Sequence, residues 1–490
     1  MKLNIMLTTD GYKVDHRRQY PEGTEYVYSN LTPRNGRIEG STGVVFAGLQ
    51  AFLDKFMSAF DETFFSRPKS EVVDGYADFI TSYLGPNPIG AIHIAALHDL
   101  GYVPLEFRAV PEGTFVPYGI PVLTVENTLP EFFWLTNYFE TLLSAELWLP
   151  ITSATTARRY RQILDAWATK TSDTPEFVDW QGHDFSFRGM ANAEAAATSG
   201  AMHLLYFTGT DTIPAIKFLE EHYDGDGLIG GSVAATEHSV MCADGQDGEQ
   251  GTFERLLDLY PTGIFSAVSD TFNLWDVLTE YLPALKKKIL ARDGKFVVRP
   301  DSGNPVDILC GDSSMSWPLS DQESAISKGV IELLWDTFGG TVNSKGFKVL
   351  DSHVGAIYGD SITTERANAI CERLAAKGFA STNVVLGIGS FTYQYVTRDT
   401  HGLAMKATWA QVNGVERALF KKPITDDGGK FSARGRLAVS QTSEGLVLVQ
   451  DLMKEEWEKW PTILQPVWRN GKFVRRTTLA AIRNRVREEL

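Results

Sequence analysis

Phe296-Val297-Val298-Arg299-Pro300-Asp301-Ser302-Gly303-Asn304-Pro305 is the stretch on which the reading of the fold turns. Three apolar residues are followed at once by a cation, a carboxylate and a glycine turn. A continuous apolar run is what a parallel strand looks like when helices cover both of its faces. The same grammar recurs through the middle of the chain. Residues 229–235 end in Thr236-Glu237-His238, 263–268 in Ser269-Asp270, 354–357 in Tyr358-Gly359-Asp360, and 383–386 in Gly387-Ile388-Gly389. Polar side chains at the carboxyl ends of successive strands are the habit of (β/α) barrels and open α/β sheets, which bind ligands at that end. These endings predict a barrel-like α/β domain over residues 151–390.

The flanks read differently. Residues 25–29 and 105–110 alternate as strands do, while 47–60 and 132–147 carry helical periodicity. Pro33-Arg34-Asn35-Gly36 and Pro111-Glu112-Gly113 punctuate them as turns. The last hundred residues return to strand patterns at 403–412, 437–441 and 446–449. They close on a helical stripe of Leu479, Ile482, Val486 and Leu490, with Arg483, Arg485 and Arg487 off it as a solvated basic face.

Composition narrows the function. The chain has 490 residues, 46 basic against 61 acidic, for a formal charge of −15. That balance argues against non-specific binding to nucleic acid or an anionic membrane surface, while leaving room for a local phosphate pocket. No apolar run reaches membrane-spanning length. The first residues do not read as a signal peptide. Cys242, Cys310 and Cys371 stand far apart, which fits a reducing, cytoplasmic setting and no zinc site. Gly225-Asp226-Gly227-Leu228-Ile229-Gly230 matches a dinucleotide fingerprint only in letters, because a helical pattern precedes it and a strand follows. There is no P-loop and no H-E-x-x-H.

Several residues carry chemistry by type and place. His183-Asp184-Phe185-Ser186-Phe187-Arg188-Gly189 leads into an Ala-rich helix, which suits Arg188 to a phosphate and Phe185 to a flat heterocycle. Asp211 reads as a helix cap or as an acceptor that prefers an amide to an acid. His238, beside Glu237, has the chemistry of a phosphoryl acceptor. Asp270, Asp301 and Asp360 end three successive strands, and on one barrel mouth they suit ribose hydroxyls and a magnesium ion.

Together with Thr9-Asp10-Gly11-Tyr12-Lys13, Gly209-Thr210-Asp211-Thr212, Glu237-His238-Ser239, Val268-Ser269-Asp270, Thr397-Arg398-Asp399 and Gly435-Arg436-Leu437, these segments resemble the nicotinamide phosphoribosyltransferases. The likeness runs in order over nearly the whole chain. It implies a type II phosphoribosyltransferase: an irregular (β/α) barrel over 151–390 with a smaller α/β domain built from both chain ends, 1–150 and 391–490. It also implies a homodimer with a shared site. The implied reaction joins nicotinamide to phosphoribosyl pyrophosphate with Mg²⁺, driven by ATP through a phosphohistidine.

Carried over to this chain, Phe185 and the partner subunit's Tyr12 would sandwich the base, Asp211 would take its carboxamide, and Ser266 would line the tunnel. Arg188 would hold the product phosphate. His238 would be phosphorylated and oriented by Asp270. Arg299, Asp301, Gly359 and Asp360 would surround the ribose. Gly389, Arg398, Lys421 and Lys430 would serve phosphates, and Mg²⁺ would sit on the pyrophosphate with Asp270 or Asp301. Three positions depart from the pattern. Phe391 replaces a glycine after Gly389-Ser390, Gly355 an arginine, and Gly231 an aromatic residue. The nearest rival is an enzyme for nicotinate, against which Asp211 stands. A catalytically silent protein on this scaffold is the rival from another class, and it would have no need to retain all these groups.

Overall fold

A computed structural model of the chain describes residues 3–314, 319–359, 361–421 and 433–490. They form two compact units: Met1–Thr155 with Glu220–Gly225 and Val396–Glu489, and Thr156–Leu219 with Asp226–Tyr395.

The second unit contains the parallel strands. These are β1 (Gly182–Asp184), β2 (Gly209–Thr210), β3 (Ala234–Ala235), β4 (Thr262–Val268), β5 (Asp293–Arg299), β6 (Val354–Tyr358) and β7 (Val384–Ile388). They lie in the order β2-β1-β7-β6-β5-β4-β3, every pairing parallel. The two edges then meet. Thr210 N donates to Gly231 O at 3.0 Å and Gly231 N to Thr208 O at 2.8 Å, so the approach to β3 runs beside β2 and the sheet curls into an irregular barrel.

Strands β4 to β7 fall on the apolar runs of the sequence. At 229–235 only Ala234–Ala235 is strand, because Gly230 and Gly231 lie in the loop that closes the barrel. β1 and β2 escape the sequence pattern for a physical reason. They are three and two residues long, and they bury polar His183, Asp184 and Thr210 instead of an apolar run.

The first unit joins both ends of the chain in one seven-stranded antiparallel sheet. Thr24–Pro33 pairs with Leu403–Val412 on one side and Leu123–Asn127 on the other, and Leu105–Ala109 and Gln465–Arg469 continue the sheet. The expected helix at 47–60 is Leu49–Phe60. Its phenylalanines recur every fourth residue, so Phe52, Phe56 and Phe60 share one buried face with ring centres 5.3 and 5.0 Å apart. The pattern at 132–147 is instead broken into a turn at Pro130–Phe132, a short helix Leu135–Tyr138 and a long helix Glu140–Thr171. The closing helix is Leu479–Glu488, with Leu479, Ile482 and Val486 buried and Leu490 left exposed beyond its end. Its basic face is not wholly solvated, since Arg485 donates to the main-chain carbonyl of Glu112.

Glu112 itself caps a helix from a distance. Gly48 precedes Leu49–Phe60 with φ +97° and no side chain to offer. The Glu112 carboxylate instead accepts Gly48 N and Gln50 N at 2.7 Å each, and the Tyr223 hydroxyl at 2.8 Å. Burial pushes its pKa up against these bonds. Glu112→Ala removes the acceptor shared by three buried donors. At about 1–3 kcal/mol per orphaned group, less the relief of removing a buried carboxylate, the expected loss is about 3 kcal/mol. Urea unfolding should show it as a lower midpoint at unchanged slope. A midpoint equal to that of the parent protein would mean the cap contributes nothing.

Candidate active site

The carboxyl ends of the barrel strands supply the site. From β1 come His183 and Asp184, then Phe185. Asp184 is fully buried, with Oδ1 accepting Ser186 N at 2.9 Å and Oδ2 the Thr210 hydroxyl at 3.2 Å. It ties β1 to β2. His183 Nε2 instead reaches Asp211 Oδ1 at 3.0 Å, and the Ser232 hydroxyl donates to the same oxygen. Among the described residues Asp211 Oδ2 takes no hydrogen bond. Burial pulls the Asp211 pKa up, but the His183 and Ser232 hydrogen bonds and the Arg299 charge outweigh it, leaving it below the usual range. Asp211 is therefore an ionised acceptor with an oxygen to spare, suited to a ligand N–H and repellent to a ligand carboxylate.

Phe185 lies beside this pair, its ring 4.5 Å from that of His183. Arg299, from the end of β5, places its guanidinium 4.9 Å from the Phe185 ring centre. β1 and β5 are separated by two strands, so this contact spans the barrel mouth.

The next group gathers on β4, β5 and β6. A Cβ built on Gly359 would stand 2.2 Å from Asp301 Oδ1 and 3.0 Å from Arg299 Nε, so only glycine admits both groups. Asp270 Oδ2 accepts Asp301 N at 2.8 Å and the Ser302 hydroxyl at 2.5 Å, fixing the turn that carries Asp301. His238 opens the short helix His238–Cys242 and is half exposed. The carboxylate that approaches its ring is Asp301, 3.7 Å from Nε2, with Thr271 Oγ1 3.4 Å from Nδ1. Asp270 therefore acts one step back, by orienting Asp301, and not on His238 directly.

Asp270 Oδ1, Asp301 Oδ1 and Arg299 Nε are all buried without a hydrogen-bond partner. Orphaned carboxylate oxygens suit hydroxyl donors or a hard cation. No group of three potential metal ligands occurs among the described residues. The unpartnered oxygens of the two aspartates are of a kind that would suit a Mg²⁺.

Arg188 is exposed on the turn Phe187–Gly189, ahead of the helix Ala193–His203, whose first turn Asn192 caps. A Cβ on Gly189 would stand 1.9 Å from Ser390 Oγ, so the Arg188 turn packs on the segment that follows Gly389. Phe391 is 59% exposed and stacks on Tyr395 at 5.4 Å. Ser266 is buried on β4 with its hydroxyl unpartnered. Tyr12, Arg398 and Lys421 belong to the first unit, where Tyr12 is 62% exposed and Arg398 pairs with neighbouring Asp399 at 2.9 Å. Asp360 and Lys430 lie outside the described residues. Sequence reasoning misses His183 and Ser232 as site residues. His183 heads the motif that carries Phe185 and Arg188, and that adjacency is the signal that could have found it.

Gly359→Ala should displace Asp301 or Arg299 by about an ångström. Misplacement on that scale costs about a hundredfold in kcat/KM while leaving the fold intact. An alanine variant within threefold of the parent in turnover would show that this convergence is not used.

Residues 180–458 match the nicotinate phosphoribosyltransferase (NAPRTase) family, and residues 4–64 the N-terminal domain of nicotinamide phosphoribosyltransferase. The chain is 49% identical to the nicotinamide phosphoribosyltransferase of Acinetobacter baylyi, over 100% of this chain and 98% of that protein. The proteins of that name from Xanthomonas campestris pv. campestris (33% identity, 98% and 97% covered) and Mycoplasma pneumoniae (36%, 88% and 95%) are also similar. In fold it is similar to the nicotinate-nucleotide pyrophosphorylase of Pyrococcus furiosus (TM-score 0.58, 16% identity, 99% and 95% covered). It is similar as well to human nicotinic acid phosphoribosyltransferase (TM-score 0.55, 17%, 98% and 93%). The fold is thus that of the type II phosphoribosyltransferases, and the chain, a phosphoribosyltransferase, belongs to the nicotinamide phosphoribosyltransferase family.

Proposed function

We propose that the protein condenses nicotinamide with 5-phosphoribosyl 1-pyrophosphate, giving nicotinamide mononucleotide and pyrophosphate, as a step of NAD biosynthesis in the cytoplasm. The observation that carries this reading is the ionised Asp211, held by His183 and Ser232 on one oxygen and open on the other. It accepts the carboxamide N–H of nicotinamide and opposes the carboxylate of nicotinate. The names of the relatives point the same way.

The pyridine nitrogen attacks ribose C1 as the C1–O bond to pyrophosphate breaks, its electron pair leaving with the pyrophosphate. Phe185 holds the ring in line, which removes part of the entropic barrier. Positive charge develops on the ribose, and Asp301, oriented by Asp270, faces it while its unpartnered oxygen takes a hydroxyl. Arg299 and Gly359 complete the ribose wall, with Asp360 beside them in sequence. Arg188 and the Gly389 turn receive the 5′-phosphate. Asp270 or Asp301 would hold a Mg²⁺, which would supply positive charge to the leaving pyrophosphate.

ATP is the co-substrate, with Arg398, Lys421 and Lys430 as phosphate-binding residues. Its γ-phosphoryl group passes to a ring nitrogen of His238, breaking a P–O bond and forming a P–N bond that water later cleaves. Asp301 stabilises the cationic ring in between. The protein works as a homodimer in which Tyr12, exposed on its own subunit, closes the base site of the other.

Turnover of nicotinamide and of nicotinate with phosphoribosyl pyrophosphate and Mg²⁺, with and without ATP, tests this reading. Nicotinamide should win by about 10⁴ in kcat/KM, the discrimination expected when a buried polar group meets an unpaired or like-charged partner, and Asp211→Ser should narrow the gap. Because the Asp211 pKa is held down, the preference should persist as pH falls through the ordinary carboxylate range. Equal use of both bases defeats the assignment. His238→Ala should abolish phosphoenzyme and ATP stimulation yet leave ATP-independent synthesis; retained labelling from γ-³²P-ATP would place the phosphorylated residue elsewhere.

A further inference from the structure

Position 355, where the family pattern leads one to expect an arginine, is a glycine on β6. A Cβ built there would lie 3.2 Å from Lys295 Cδ, 3.9 Å from Lys295 Nζ and 3.9 Å from Val297 Cγ2. Lys295, on the neighbouring β5, therefore lays its chain across Gly355 and fills the space that a side chain on β6 would occupy. The expected cation is present, but it comes from the adjacent strand.

Register and alternation fix where this happens. Ser266, Val297 and Gly355 are aligned across β4, β5 and β6. Phe265 and Phe296 take the opposite face, their rings 5.9 Å apart, with Phe253 of the helix Glu249–Leu259 at 6.1 Å from Phe296. That face is covered by helix, so Ser266, Lys295, Val297 and Gly355 line the bore. Ala235 pairs with Ser266, on the wall that also carries Ser232, whose hydroxyl holds Asp211.

Two donors in this bore lack acceptors. Ser266 is 4% exposed and its hydroxyl has no partner. The Lys295 ammonium makes no hydrogen bond or ion pair among the described residues. Burial lowers its pKa, opposed only by Asp351, and Asp351 is already engaged by His353 N at 2.9 Å and Nδ1 at 2.7 Å. A buried hydroxyl without an acceptor is costly, and Lys295, only partly buried, places a cation on the same wall of the bore, so an anion there would answer both.

We propose that Lys295 and Ser266 form an oxyanion subsite in the barrel bore, next to the base site, which takes the carboxylate of a pyridine carboxylate or a free phosphate. The inference deepens the proposed function and rests on its placement of the base beside Asp211. An acid that turns its carboxylate toward Lys295 escapes Asp211 but presents its ring nitrogen wrongly for attack on the ribose. The subsite thus makes the excluded base an inhibitor.

Nicotinate and, separately, inorganic phosphate are titrated as inhibitors of nicotinamide turnover in the parent enzyme, Lys295→Met, Lys295→Arg and Ser266→Ala. Methionine keeps the methylene column over Gly355 and removes the charge. The ratio of the inhibition constant to the nicotinamide KM should rise at least about tenfold in Lys295→Met and about threefold in Ser266→Ala, and stay near the parent value in Lys295→Arg. A shift confined to nicotinate or to phosphate identifies which oxyanion the subsite takes. No shift for either in folded Lys295→Met overturns the proposal. If that variant does not fold, Lys295→Gly combined with Gly355→Arg moves the cation to the next strand, and it should restore the inhibition that Lys295→Gly alone loses. Absence of nicotinamide turnover in the parent enzyme would instead defeat the proposed function, and calorimetric titration of the two ions would then decide the subsite by itself.

Discussion

Two main-chain hydrogen bonds between Thr208–Thr210 and Gly231 hold this site together. Strands in a parallel sheet all end on the same side, but an open sheet spreads those ends along a line. Joining the β2 edge to the approach of β3 bends the line into a ring, and residues remote in sequence then face one space. Arg299 against the Phe185 ring, and the pull of the same arginine on Asp211, are consequences of that closure. Gly231 belongs to it, since a Cβ there would stand 3.3 Å from the Trp180 ring. The indole comes from the short helix Val178–Gln181 ahead of β1 and fills the space beside the glycine.

Inside the ring, one residue type takes four roles according to its surroundings. Asp184, fully buried and bonded to Ser186 and Thr210, is a strut. Asp270 spends one oxygen on the main chain of Asp301 and the Ser302 hydroxyl, so it aligns its neighbour. Asp301 faces His238 and keeps one oxygen unpartnered. Asp211 gathers His183 and Ser232 on a single oxygen and stays ionised because those bonds, with the Arg299 charge, outweigh its burial. These assignments follow from partners and burial, which decide what a carboxylate can do.

Much of this is legible in the amino-acid sequence. The strands β4 to β7 show as apolar runs because helices cover one face and the bore the other. Arg299, Asp301 and Gly359 can be named because a strand end is marked by an abrupt change of residue type. Where the elements are short and polar, as in β1 and β2, no run exists to be seen. The choice between Asp270 and Asp301 as the neighbour of His238 is also out of reach, since both end adjacent strands and only the turn at residues 300–303 decides which carboxylate leans over. Spacing in sequence is equally silent on Tyr12, Arg398 and Lys421, which a separate unit carries. Lys295 is hidden for a further reason: its position compensates for a glycine sixty residues later, Gly355, a relation that only strand register reveals.

The central claim is that the strand ends converge on one nucleotide, and a crystal structure of the protein with nicotinamide mononucleotide tests it most directly. The account predicts the pyridine ring against Phe185, the carboxamide nitrogen within hydrogen-bond distance of Asp211, and a ribose hydroxyl on the unpartnered oxygen of Asp301. Density for the nucleotide away from the barrel mouth, or with its carboxamide turned from Asp211, would contradict it.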